Sequence, residues 1–557
     1  MIDDLISHEE DMEVFLTSKE IVELTEKDIE IEEVLDDTPI SSDHSKTAFE
    51  IYCEVKSKSS KSSAYKKRKH KSKKKKRKKK KSDYDIVPCY PLYEAYPQII
   101  GQALYEGYRT RLGRNIPPSL TFEFRRGSAF FFGRTPEGKL VGKPLDVDGH
   151  IAVFGGSGSG KTTSIAIPNF FTWNGTIFLF DFKGDLIKWS KRRCSKILYL
   201  LRNHKNCYWY DPFYVLSKDG KENLIQNARE LAFAIIPLPP DTREPFWIEA
   251  ARDVLTGAIV HYFEIGETFI RAMTEIKTTS LIQLLDIIAA DKMAVACVNP
   301  DLKLNPKLLS GVSMELHNHI SIFATDTLIQ DILSPSEDEP KEQITWTDLD
   351  GCDVFIRMDQ SKIEQWRSIM RLMLVQLVRA LEKRPEKYEP AGKIIPPTLL
   401  MLDEFPQYGK IDAIASSLKV LRSKNVTISL FCQSLADLDE SYGKVTRSTI
   451  LDNCPYKAIL NSSDAETQQY FSDLVGTVKV PSRGMTVNFD ELGRHTGYNA
   501  NISEAREPIV YPHEFSSLSD IVLLHPGPER FCRVEKETSF RKEPNQRLIE
   551  KGDHDYV

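Results

Sequence analysis

The 557-residue sequence has no long apolar run. Its purely apolar stretches are a handful of residues each, such as Ile177–Phe180 and Leu399–Leu402, against the roughly 20 that a membrane-spanning helix needs. The opening MIDDLISHEE is acidic and lacks the basic and apolar segments of a signal peptide. The 9 cysteines (53, 89, 194, 207, 297, 352, 432, 454 and 532) form no CxxC pair and no Cys/His cluster. That spacing argues against a zinc site or a disulfide framework and suits a reducing cytosol. The whole chain therefore reads as soluble.

What is present is first a charge asymmetry. Residues 1–50 carry 17 acids and 3 lysines, a net −14. Residues 51–82 carry 17 Lys/Arg and one Glu, a net +16, so the rest of a chain whose overall charge is −5 holds −7. Between Lys66 and Lys81, 14 of 16 residues are basic. Charge this dense repels itself, so an acidic arm (1–50) and a polybasic low-complexity linker (51–83) are expected to be disordered alone. Three roles are open to the tract at 56–82. It would neutralise DNA phosphates without reading sequence, rest on anionic lipid, or pair with the acidic arm beside it.

From about Leu120 short apolar strands alternate with helical spacing. The pattern predicts strands at His150–Phe154, Thr176–Phe182, Cys207–Phe213, Cys352–Met358, Thr398–Leu402, Val426–Cys432 and Lys457–Asn461. Ile363, Trp366, Met370, Met373, Leu374, Leu377 and Leu381 have helical spacing. Ser463 and Glu466 are spaced as a capping box opening another helix, which Gly476 would close. Residues 226–340 read as helical, an inserted all-α domain between two parts of an α/β domain at 84–225 and 341–540, with a polar tail at 541–557. Such βαβ alternation implies a mostly parallel sheet covered on both faces.

Four motifs carry chemistry. Gly155-Gly156-Ser157-Gly158-Ser159-Gly160-Lys161-Thr162 follows a strand and precedes a helix. Glycine-rich turns let backbone N–H groups approach phosphates, and the helix adds its positive end. Lys161 would reach the β- and γ-phosphates of ATP, and Thr162 would bind Mg²⁺. Thr163 completes the expected nucleotide-binding set. The apolar strand Thr398–Leu402 runs into Asp403 and Glu404. Asp403 would hold Mg²⁺, and Glu404 would orient or deprotonate the attacking water. Gln433 ends the next apolar strand, where it would sense the γ-phosphate. Arg422 ends the helix between the two strands and would serve as a finger for a neighbouring subunit's nucleotide or simply be solvated. The turn Asp181-Phe182-Lys183-Gly184-Asp185 lies after the second strand, near the phosphates in such a sheet.

Together these pieces resemble the conjugative coupling proteins, the TraG/TraD/TrwB-like ATPases of type IV secretion. The stretch PNFFTWNGTIFLFDFKGDL resembles the family's sequence after the phosphate loop. LLMLDEFPQYGKIDAIASSLKVLRSKNVTISLFCQSLADLDESYG resembles its second conserved region, with the arginine 19 and the glutamine 30 residues after Asp403. Phe246-Trp247, Asn461–Thr467, and Arg506-Glu507-Pro508-Ile509 ahead of Pro512-His513-Glu514 are similar too, and the likeness runs from about Leu120 to Val534.

The resemblance implies a RecA-like P-loop NTPase domain with an inserted all-α domain. It further implies a homo-hexameric ring hydrolysing ATP with Mg²⁺, Asp403 and Glu404 as the acid pair, Arg422 as the trans finger and Gln433 as the third motif's glutamine. The implied partners are DNA, a relaxase or relaxosome, effector proteins and type IV secretion channel components. The implied place is the bacterial cytoplasm at the inner membrane's cytoplasmic face. Family members typically carry N-terminal transmembrane helices. This sequence has the acidic and polybasic segments there instead, leaving residues 56–82 as the peripheral membrane contact. A cytosolic FtsK/HerA-like DNA pump and a non-hydrolysing adaptor are the competing readings.

Overall fold

The computed structural model describes residues 112–537, apart from 115, 123–128, 145–146, 202–203, 240–241, 243, 305, 337–339, 388–395, 490–494 and 528–529. The expected acidic arm, polybasic linker and C-terminal tail lie outside the described residues.

Apolar runs too short for helices form strands buried on both faces. They build one nine-stranded sheet. Numbered in chain order, its strands are β1 (Ile151–Phe154), β2 (Thr176–Asp181), β3 (Ser195–Leu200), β4 (Asp353–Met358), β5 (Thr398–Leu402), β6 (Val426–Cys432), β7 (Tyr456–Ile459), β8 (Ile521–Leu524) and β9 (Phe531–Val534). Their spatial order is β9-β8-β7-β1-β6-β5-β2-β4-β3. β1 to β7 are parallel, and β8 and β9 extend the sheet antiparallel at one edge.

Side chains alternate between two cores. Phe154, Phe178, Phe180, Leu400, Leu402, Ile428 and Leu430 face one side. There they meet residues of helices Leu224–Ile235, Arg367–Glu382, Asp412–Leu421, Leu435–Asp452 and Ala465–Val475. Ile151, Val153, Ile177, Leu179, Leu399 and Met401 face the other. That side is covered by helix Ile167–Thr172 and a three-stranded antiparallel sheet of Thr121–Phe122, Ala129–Arg134 and Leu140–Pro144. Asn169 joins helix to small sheet by accepting from Phe131 N–H at 2.9 Å and donating to Phe131 O at 3.1 Å. The longest helices, Phe246–Glu264 and Pro306–Thr325, lie in the stretch between β3 and β4. Among the described residues no helix is long and apolar enough to cross a membrane.

Three local expectations are corrected. The strand at Cys207–Phe213 is only Tyr208–Tyr210, and it pairs with Glu342–Ile344 outside the central sheet. Pro212 has no N–H to give a ladder, and Asp211 turns the chain by accepting from Phe213 N–H at 2.9 Å. The cap of helix Ala465–Val475 is Asp464, not Ser463, with its carboxylate accepting Thr467 N–H at 2.9 Å. A carboxylate also suits the helix's positive end better than a hydroxyl. Gly476 closes that helix as expected, at φ 99°. Finally, the cysteines are less scattered than the sequence suggests. Cys194 and Cys352 precede paired strands β3 and β4, and their free thiols lie 2.9 Å apart. Residues 479–505 form part of a separate compact unit, within which Lys479 and Glu504 pair at 2.8 Å.

His150, at the start of β1, is fully buried. Its Nε2–H donates to Leu418 O at 2.6 Å, and its Nδ1 accepts Ile428 N–H at 3.0 Å. Both ring nitrogens are spent in the neutral form, and burial pushes its pKa down to about 4. The unfolded chain therefore binds a proton here before the folded one does. Its contribution to stability is complete above about pH 6.5 and is lost as pH falls through about 4. Urea unfolding at stepped pH is expected to show wild type losing ~1.4 kcal/mol per pH unit more than His150→Gln across that interval. Parallel pH profiles for the two proteins would refute this.

Candidate active site

Because β1, β6, β5 and β2 are parallel neighbours, their carboxyl ends fall on one edge of the sheet. The chain leaves β1 into the glycine-rich loop. Gly155 N–H donates to Cys432 O at 3.2 Å and Gly156 N–H to Asn461 Oδ1 at 3.0 Å. Gly158 and Gly160 have φ of 75° and 97°, a region that a side chain would strain. A Cβ on Gly155 would stand 2.4 Å from Ser159 Oγ. Ser157 is exposed, and Lys161, Thr162 and Thr163 are half-buried on the turn that opens the helix. That turn, Lys161–Ala166, is π-helical and passes into the α-helix at Ile167. Pro168 explains the widening, since it has no N–H and its ring crowds the carbonyl one turn back.

This loop fits a polyphosphate. The Ser159 hydroxyl is buried without a hydrogen-bond partner among the described residues. The first N–H groups of a helix have no partners within it. Burial lowers the pKa of Lys161 while Asp403 opposes that shift, and its ammonium donates to the loop's own Gly155 O.

Asp403 and Glu404 follow β5 directly. Burial, and then the Glu404 charge, push the Asp403 pKa up to about 6, with Lys161 and Lys183 acting against them. A cation beside this carboxylate would favour its ionised form. Glu404 adopts left-handed backbone, φ 50° and ψ 47°, a conformation that costs a non-glycine residue about 1 kcal/mol. Its carboxylate is doubly held. Lys183 Nζ donates to Oε1 at 2.7 Å, and Gln407 Nε2 donates to Oε2. The contact with Glu404 raises the Lys183 pKa.

Asp181 puts Lys183 there. Its Oδ1 accepts from the N–H groups of Lys183 (3.2 Å) and Gly184 (2.7 Å). Its Oδ2 accepts from Leu186 (3.0 Å) and Ile187 (2.9 Å). One buried carboxylate thus folds the whole turn after β2.

The edge therefore gathers residues 155–163, Asp403, Glu404 and Gln433, the last exposed beyond β6 and lining one pocket with Glu404. Arg422 is not among them. It is exposed at the amino end of β6, about 23 Å away along a seven-residue strand. The sequence reading did not single out Gln407 or give Lys183 and Asn461 their contacts. Their signals were the polar turn after β2, the residue three beyond Glu404, and an Asn at the end of β7.

The family profile described as "Type IV secretory system Conjugative DNA transfer" matches residues 125–526. Protein VirD4 of Rhizobium rhizogenes is 23% identical over 401 residues, which cover 68% of this chain and 57% of that protein. The chain spans about three fifths of the length of the VirD4 proteins it matches. The bacterial conjugative coupling protein TrwBdeltaN70 in its unbound monoclinic form has a similar structure, with TM-score 0.58 and 17% identity over 75% of this chain and 90% of that one. Plasmid coupling protein TrwB in complex with ADP and Mg²⁺ gives 0.57 and 16% over 77% and 91%. At these identities the likeness establishes a shared RecA-like fold.

Asp181→Ala would leave four backbone donors without their acceptor. It is expected to lower the unfolding free energy by about 3 kcal/mol in urea titrations. A loss below about 0.5 kcal/mol would show that the turn holds without the carboxylate.

Proposed function

This chain belongs to the type IV secretory system conjugative DNA transfer family, and from that premise we propose that it is an ATP-hydrolysing coupling motor. It would deliver relaxase-bound DNA, or effector proteins, to a secretion channel. The observation that carries the proposal is the meeting of a phosphate-shaped glycine loop with Asp403 and Glu404 at one sheet edge.

The ligand would be ATP with Mg²⁺, supported by the complex of TrwB with ADP and Mg²⁺. The loop Gly155–Gly160, with Thr163 behind it, would enclose the phosphates, and Lys161 would neutralise them. Thr162 and Asp403 would hold the metal, the chemistry of which is to offset phosphate charge. Glu404 is the base for water, and its grip by Lys183 and Gln407 must loosen before it can accept a proton. Gln433, lining the same pocket as Glu404, would register the ligand's state.

Arg422 stands too far along β6 to serve its own site, which supports a role toward a neighbouring copy in a hexameric ring. The helical insertion at 226–340 as a domain, the relaxosome and channel partners, and inner-membrane contact through residues 56–82 belong to the same proposal. The intact acid pair disfavours a non-hydrolysing adaptor. The DNA-transfer family, rather than a segregation pump, matches across the whole site.

Purified full-length protein is expected to hydrolyse ATP faster with DNA present. Lys161→Ala should abolish turnover. Glu404→Gln should lower kcat about 10²–10⁴-fold while still binding a fluorescent ATP analogue. Undiminished hydrolysis in both variants would overturn the proposal.

A further inference from the structure

Beside Glu404 lies a pocket of about 500 Å³, within the size range of ligand sites. Its walls come from the start of helix Arg367–Glu382, the loop after Glu404, the start of helix Leu435–Asp452, and Pro237–Pro239. The proposed ATP chemistry uses Glu404, Gln407 and Gln433 on its wall, but not Arg367, Arg371 or Lys410, which also line it.

Arg371 lines this pocket with 8% exposure. Its Nε and Nη1 are buried and have no hydrogen-bond partner among the described residues. Burial lowers its pKa, and Arg367 adds to the effect, but only to about 10, so it is charged at neutral pH. Arg252 is a second neighbouring cation. The nearby acid Asp412 is engaged by Lys410 at 3.2 Å. Glu404, on the pocket wall, is engaged by Lys183 and Gln407. An unpaired buried cation is strongly destabilising unless something else compensates it. A guanidinium fork matches the paired oxygens of a phosphate or carboxylate.

We propose that this pocket binds a phosphodiester of single-stranded DNA, with Arg371 as its main contact and Arg367 and Lys410 beside it. The inference rests on the DNA-transfer reading above. The acids Asp437 and Glu440 also line the pocket. They disfavour a dianion such as free phosphate and leave the singly charged backbone phosphate as the better fit. A strand seated here would lie against Glu404 and Gln433, which gives DNA a direct way to influence the grip on the catalytic acid.

The polybasic tract would dominate simple DNA-binding assays, so the test reads the folded body instead. A ligand that binds folded and unfolded chain alike shifts no melting temperature, whereas one that needs the folded pocket does. The probe is a six-nucleotide oligothymidylate added to full-length protein, with inorganic phosphate as the second arm. Wild type is expected to melt about 2–5 °C higher with the oligonucleotide and to shift less with phosphate. Arg371→Met should abolish that shift and, by removing an unpaired charge, melt higher than wild type when no ligand is added. A purely structural arginine would give the opposite sign. Arg367→Gln should reduce the shift, and it serves if Arg371→Met fails to fold. No oligonucleotide shift in wild type, an equal shift in the variants, or a larger shift with phosphate would each overturn the proposal. Full-length protein that still binds long DNA in those cases would leave the DNA-transfer reading standing, whereas no DNA binding of any kind would remove both.

Discussion

Seven strands run parallel, and the site exists because their carboxyl ends share one edge. Cys432 pairs opposite Phe154, and Leu402 opposite Leu430. The residues that follow these strands, Gly155, Gln433 and Asp403, are thereby neighbours although they are distant in sequence. Strands this apolar carry little register information of their own, because both faces are buried. Polar ties supply it, and they lie at the other, amino-terminal end. His150 links β1 to β6 and to Leu418. Thr176 and Thr398 meet at 3.0 Å, and Arg384 reaches Thr398 at 2.8 Å. Asp353 takes Ile177 N–H at 2.8 Å and the Arg193 guanidinium. One end of the sheet fixes alignment, which leaves the loops at the other end free to be shaped by chemistry.

The same division explains how strain is carried at Glu404. A left-handed glutamate is unfavourable locally. It persists because the strand behind it is fully buried and the carboxylate ahead of it has two partners. Lys183 is itself fixed by the Asp181 turn, so the position of the Glu404 carboxylate depends on a carboxylate in a different loop. Asp403 accepts only the Glu404 N–H, at 3.1 Å, among the described residues, and desolvation and the adjacent acid raise its pKa, a shift that a cation beside it would oppose.

Most of the sheet was legible because buried parallel strands are continuous apolar runs, and IAVF, TIFLF, TLLML and VTISLFC all became strands. Edge strand β3 was not, because SKILYL is half polar and owes its pairing to β4 rather than to pattern, and the antiparallel strands β8 and β9 were not assigned from sequence either. The glycine loop and the acid pair were legible because each needs particular residue types at fixed spacing. The grip of Lys183 and Gln407 on Glu404 was not, since it follows from which loops share an edge. Arg371 shows the limit most clearly. Its sequence context, SIMRLMLV, reads as an ordinary helix face, and only packing makes it a buried cation whose Nε and Nη1 have no hydrogen-bond partner among the described residues.

That burial bears on how an acidic body could hold a polyanion. Outside residues 1–82 the chain carries a net −7, which gives no long-range attraction for DNA. Such attraction is screened within about 10 Å at ordinary salt in any case. A cation held in a low-dielectric pocket acts differently, strongly on an anion in contact and weakly on one at a distance. On the proposed reading the chain would separate two tasks that a basic face would merge. Capture would fall to the tract at 56–82, whose charge lies along the sequence. Contact would fall to single arginines such as Arg371, whose effect depends on geometry, so on that proposal a strand would be held firmly only where the pocket beside Glu404 is folded.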